Sequence, residues 1–141
     1  MKTILLPVDG SENSSRAVQR AIDICKGNGD TKLLLVTAYP PIVSGNVKRY
    51  FSPEDIQSFY KEEGEKAIGP AKKLLEAAGV PYEAEVLVGP VAQTIAEYAK
   101  KNKVDTIIMG TRGLGTVTGM VLGSITTKVL SLVDIPVLLV K

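Results

Sequence analysis

A chain of 141 residues has the length of one compact domain, enough for a real core and none to spare for a second. Its 45% hydrophobic and 23% charged residues exclude a disordered, collagen-like or membrane-spanning class, and a net charge of +2 is too small for a dedicated nucleic-acid surface. A single cysteine, Cys25, and the absence of histidine remove disulfide frameworks, Cys/His zinc sites and Ser-His-Asp or Cys-His catalysis together.

The first apolar run, residues 3–8, reads as a strand buried on both faces. Pro7 and Asp9 cut it short, so it serves neither as a signal-peptide core nor as a membrane span, and a cytoplasmic location is expected. Ser11 to Ser14 can cap a helix that carries Ala17, Val18, Ala21, Ile22 and Cys25 on one stripe, which makes Cys25 a small core residue. A second buried strand follows at 32–38. Residues 39–51 hold Pro and Gly without periodicity and read as a mobile insertion.

Ser52-Pro53 opens the next helix, expected to bury Ile56, Phe59, Tyr60, Ala67, Ile68, Ala71, Leu74, Leu75 and Ala78 and to end at Gly79, with Gly69-Pro70 kinking or breaking it. Residues 82–88 alternate Glu83, Glu85 and Leu87 against Ala84, Val86 and Val88, the pattern of an edge strand with one partly wet face. A third helix runs from Gly89-Pro90 to about Lys101, a buried strand occupies 104–109, a fourth helix follows Gly123-Ser124 with Ile125, Val129, Leu132 and Val133 inward, and 136–140 is the last strand. Strict β-α alternation implies an α/β domain with a doubly wound parallel sheet. With the edge strand third in sequence, the order becomes 3-2-1-4-5, and the ligand crevice falls where winding reverses, between the loops after the first and fourth strands.

Those two loops carry the chemistry. Residues 110–124 hold five of the 13 glycines and one charge, Arg112. Such backbone can turn tightly, expose its N–H groups and lead into a helix N-terminus, all of which favour phosphate. The segment lacks the Gly-Lys-Ser/Thr ending of a P-loop and the spacing of the dinucleotide fingerprint. Opposite it, Pro7-Val8-Asp9-Gly10-Ser11 ends an apolar strand on a carboxylate. Asp9 could accept hydrogen bonds from a ribose or base, or stand near a magnesium ion, and it also suits a helix start.

The segments Ile4-Leu5-Leu6-Pro7-Val8-Asp9-Gly10-Ser11, Leu35-Val36, Gly89-Pro90 and Met109-Gly110-Thr111-Arg112-Gly113 followed by Gly123-Ser124 resemble the ATP-binding branch of the universal stress protein family over nearly the whole chain. The spacing Gly, two residues, Gly, nine residues, Gly, Ser carries the resemblance. It implies a Rossmann-like, adenine nucleotide alpha hydrolase-like fold holding ATP or another adenine nucleotide, with magnesium brought by the phosphates. Pro7, Val8, Asp9 and the backbone of Val36 would face adenine and ribose. Met109, Gly110, Arg112 and Gly113, with Gly123, Ser124, Ile125 and Thr126, would face ribose and phosphates.

The function expected is a small regulatory or stress-response protein whose occupancy a partner protein reads, with slow or no hydrolysis, because no catalytic set stands out beyond Asp9 and the hydroxyls of Thr111, Ser124 and Thr126. An adenylating or ATP-hydrolysing enzyme is the alternative. Its pyrophosphate loop is distantly similar to Asp9-Gly-Ser-Glu-Asn-Ser14, without the glycine pair. A phosphoacceptor receiver would need further acidic residues around Asp9. Finally, 135–140 is an apolar edge strand guarded only by Lys141, and both that edge and the resemblance imply a homodimer through the last strand.

Overall fold

A computed structural model describes residues 2–42, 49–113 and 122–141. In chain order they form β1 (Lys2–Pro7), α1 (Glu12–Gly27), β2 (Thr31–Tyr39), α2 (Pro53–Ala77), β3 (Glu83–Val88), α3 (Val91–Lys101), β4 (Thr106–Gly110), α4 (Ser124–Leu132) and β5 (Val137–Val140). The strands make one sheet in the order β3-β2-β1-β4-β5, every pair parallel, as the alternation predicts. Of the insertion expected over 39–51, Tyr39 belongs to β2, and 43–48 lie outside the described residues.

Alternation along each strand sends side chains to two cores. On one face Ile4, Leu6, Leu33, Leu35 and Ile108 pack with Ala17, Val18 and Ile22 of α1 and Ile68, Ala71 and Leu75 of α2. On the other, Leu5, Leu34, Val36, Ile107 and Met109 meet Ala92, Ile95 and Ala99 of α3 and Val129 of α4. Each fully buried aliphatic side chain contributes about 1.5–3 kcal/mol, which is what holds four helices on two faces. Cys25 sits half-buried against the first core, and burial pushes its thiol pKa up, as befits a packing residue.

Ser52 caps α2 reciprocally. Its hydroxyl accepts the Asp55 N–H at 3.1 Å while the Asp55 carboxylate accepts the Ser52 N–H at 3.1 Å, a capping box. The helix is not broken at Gly69-Pro70 but runs continuously from Pro53 to Ala77. An interior proline costs about 3 kcal/mol, and the burial of Ala67, Ile68, Ala71 and Leu75 on both sides of it outweighs that. Gly79 then ends the helical run in the left-handed region at φ +70°, where a side chain would be strained.

Three burial expectations are corrected. Phe59 is 49% exposed, because the first turns of α2 extend past the sheet. Ile125 and Leu132 of α4 are also exposed, and the inward positions are Thr126 and Val129, one helical turn apart. In β3 the face of Glu83, Glu85 and Leu87 is partly wet as expected, its two carboxylates exposed and Leu87 against the second core, but the opposite face is wet as well, with Val86 against the first core and Ala84 and Val88 exposed. Glu85 stays exposed beside Tyr98 of α3, whose pKa it helps to raise.

Candidate functional site

At the carboxyl ends of the strands, where β1 and β4 diverge toward opposite faces, the structure opens a cavity of about 300 Å³. This is the switch-point position expected of ligand sites in open parallel sheets, and the volume falls at the lower end for small-molecule sites. β1 contributes Pro7 and the two residues beyond it, Val8 and Asp9. β4 contributes Met109 and Gly110, followed by Arg112 and Gly113. The third side is the N-terminus of α4, with Gly123, Ser124, Ile125 and Thr126.

Local chemistry explains each wall. The Asp9 carboxylate accepts the Ser11 N–H at 3.0 Å and the Ser14 hydroxyl at 2.8 Å, while Ser11 caps α1 by accepting the Ser14 N–H at 3.1 Å. Asp9 is thus locked to the helix start and lines the cavity at once. Across the cavity a Cβ on Gly113 would meet the Asp9 carboxylate, so only glycine lets the two loops approach this closely. Of the glycine-rich segment, 114–121 lie outside the described residues; its two described ends are joined where the Gly123 N–H donates to the Thr111 carbonyl at 2.7 Å and the buried Thr126 hydroxyl donates to the Gly110 carbonyl at 3.0 Å.

The N-cap of α4 is Gly123, which has no side-chain oxygen to cap the first N–H groups of the helix. Those donors and the positive end of the helix dipole are therefore presented to whatever occupies the cavity. Arg112, exposed at the rim, adds a cation. Apolar Val8, Met109 and Ile125 with donors on one side form a wall suited to a flat heterocycle joined to an anion.

Eleven of the twelve residues expected at the site line this cavity, and Val36 does not. Val36 is fully buried, and its carbonyl accepts the Val8 N–H at 2.8 Å. Two residues on, Ala38 has the same backbone parity and lies beyond the last paired residue of β1, Pro7, so its N–H and C=O turn toward the cavity that it lines. Sequence reasoning also missed Thr37 and Tyr39 on that side, Glu63 of α2, Ser14 of α1, and Val91 and Ile95 of α3. The Tyr39 hydroxyl donates to the Glu63 carbonyl at 2.7 Å, tying α2 to the end of β2. Burial is the main cause that raises the Tyr39 pKa, so the phenol stays a donor at neutral pH. Tyr39 followed the apolar run of β2 closely enough to be found; Glu63 had no local signal.

Among the described residues no group of three or more Asp, Glu, Cys or His side chains could hold a metal ion, and no helix is long and apolar enough to cross a membrane.

An open, doubly wound α/β domain with a crevice at the winding switch, floored by a glycine-capped helix N-terminus, defines the class. Within it, the chain belongs to the universal stress protein family, whose model matches residues 1–141. It is 37% identical over 141 residues to the universal stress protein MJ0531 of Methanocaldococcus jannaschii, a match covering 99% of this chain and 82% of that protein. The solved structure of the hypothetical protein MJ0577 superposes with a TM-score of 0.84 at 28% identity, covering 99% of this chain and 95% of that one. A universal stress protein solved in complex with cAMP superposes with a TM-score of 0.72 at 30% identity, covering 99% and 97% respectively.

Proposed function

We propose that the cavity binds an adenine nucleotide, ATP in the first instance, and that the protein acts as a regulator whose occupancy a partner protein reads. The observation that carries this reading is the N-terminus of α4, which turns its first N–H groups into a switch-point cavity behind Gly123, a ready anion site. The base lies at the β2 end, where the Ala38 backbone can offer one donor and one acceptor to an adenine edge. Ribose lies by Asp9, and the phosphates lie over Gly110, Arg112, Gly113 and the start of α4. The cAMP complex of a relative supports an adenine nucleotide as the class of ligand.

The residues fit magnesium only as a companion of the phosphates, since Asp9 is the sole carboxylate on the β1 wall and is already bound to Ser11 and Ser14. The ion would neutralise phosphate charge beside Asp9. Hydrolysis is slow or absent in this reading, because rapid phosphoryl transfer needs an oriented nucleophile as well as charge neutralisation. The protein works in the cytoplasm as a homodimer through β5.

Mass spectrometry of nucleotide released from the purified native protein, with calorimetric titration of ATP, AMP and cAMP, tests the proposal. An adenine nucleotide recovered in near-stoichiometric amount supports it. Protein free of nucleotide that gives no heat with any of the three overturns it.

A further inference from the structure

The first turn of α1 holds a side chain that the nucleotide reading leaves unused. Asn13 is only 7% exposed, a buried amide in a residue class that is mostly solvated, and both ends of it are engaged. Its Nδ2 donates to the Val140 carbonyl at 2.8 Å, and its Oδ1 accepts the Arg112 N–H at 2.7 Å. The same Val140 carbonyl accepts the Thr111 N–H at 3.0 Å. One amide therefore clamps the backbone that opens the glycine-rich segment to the last residue of the edge strand β5.

Gly110 makes the room. A Cβ there would run into the Asn13 amide, and the positive-φ glycines among the described residues are Gly10, Gly79 and Gly89. Glycine at 110 thus serves space and not conformation. The neighbouring Ser14 holds Asp9, so a single helical turn anchors both loops that border the crevice, through Ser14 on the β1 side and Asn13 on the β4 side.

We propose that Asn13 is a positioning residue for the phosphate-facing backbone at Arg112, and that its amide transmits nucleotide occupancy to the C-terminal end of β5. The proposal rests on the nucleotide reading above. The carboxamide is planar and rigid, so a shift of the Arg112 peptide that moves Oδ1 also moves Nδ2 and alters the hydrogen bond at Val140. Coupling of this kind is reciprocal. Whatever engages the end of β5, a second copy of the chain included, changes nucleotide affinity by the same factor.

The test follows the Arg112 amide and the Val140 carbonyl by NMR in the full-length labelled protein as ATP is added. Both resonances are expected to move and to saturate at the same ATP concentration. Asn13→Asp keeps an acceptor for the Arg112 N–H and loses the donor to Val140; its Arg112 amide still responds, and the Val140 response is lost. Asn13→Ala removes both bonds and weakens ATP about tenfold, and it replaces the Asp variant for the Val140 measurement should that variant fail to fold. Three results overturn the proposal: a Val140 carbonyl that stays still while Arg112 shifts in the unmodified protein, a Val140 response that survives in Asn13→Asp, or a folded Asn13→Ala that binds ATP normally. Silence at Arg112 as well as Val140 is a different result, which overturns the nucleotide reading itself and this coupling with it.

Discussion

Ser14 and Asp9 hold each other in both directions. The Ser14 hydroxyl donates to the Asp9 carboxylate at 2.8 Å and accepts the Asp9 N–H at 3.1 Å. The carboxylate at the end of β1 is therefore immobilised before any ligand arrives, and it faces Gly113 across the crevice. Gly113→Ala places a methyl group against that fixed carboxylate and should weaken ATP binding about tenfold, roughly 1.4 kcal/mol, with the circular dichroism spectrum unchanged. Gly69→Ala is the control. It lies in α2 and does not line the crevice, so it should leave the calorimetric ATP affinity alone, while the Cβ it adds before Pro70, where helical backbone is disfavoured, gives no gain in stability.

Arg112 is exposed, and in the proposed reading its side chain contributes to ligand binding by charge while its backbone N–H is held by Asn13. Arg112→Ala should weaken ATP more than adenosine, with the difference shrinking as salt is added, since screening acts on exposed charges over about 10 Å at 0.1 M salt. Denaturation should show little loss of stability. Equal weakening of both ligands would contradict the assignment.

The parity of β5 makes the dimer testable. Ile107 N–H donates to the Pro136 carbonyl at 3.0 Å and Thr111 N–H to the Val140 carbonyl at 3.0 Å, so even-numbered residues of this strand bond to β4. Leu139 then directs its N–H to the open edge and Leu138 does not. Leu139→Pro should leave the fold intact and convert the proposed homodimer to monomer in light scattering. Leu138→Pro should instead break a ladder bond inside the sheet and lower thermal stability.

Tyr98 links α3 to β3 and should show itself in alkali. Burial first, then its hydrogen bond to Glu85 and the negative charges of Glu85 and Glu83, push its pKa up from 10.0 to about 12. A pKa raised in the folded state stabilises the fold fully below the unfolded value. That contribution is lost as pH rises between 10.0 and about 12, because ionised Tyr98 is then favoured in the unfolded chain. Ultraviolet titration should find a phenol that ionises near the upper end of that window, and Glu85→Gln should bring it down.

Period and punctuation determined the fold from sequence alone. Continuous β-branched runs between helical stripes demanded a parallel sheet wound on both faces, the alternating run at Glu83–Val88 marked an edge, and the switch point followed from the order. Glycines and a lone carboxylate at the two loops beside that point located the crevice, because loop chemistry is local. What depended on where neighbouring elements stop could not be read locally. The choice between Val36 and Ala38 turns on β1 pairing no further than Pro7, which leaves the later backbone groups of β2 open to a ligand. The outward turn of Ile125 and the exposure of Phe59 depend on how far each helix overlaps the sheet, and the unbroken α2 depends on burial on both sides of Pro70. Asn13 stands in the segment 9–14, but nothing local points to its partners. Its partners lie 99 and 127 residues away, and only the packing of α1 against the ends of β4 and β5 brings one amide within reach of both.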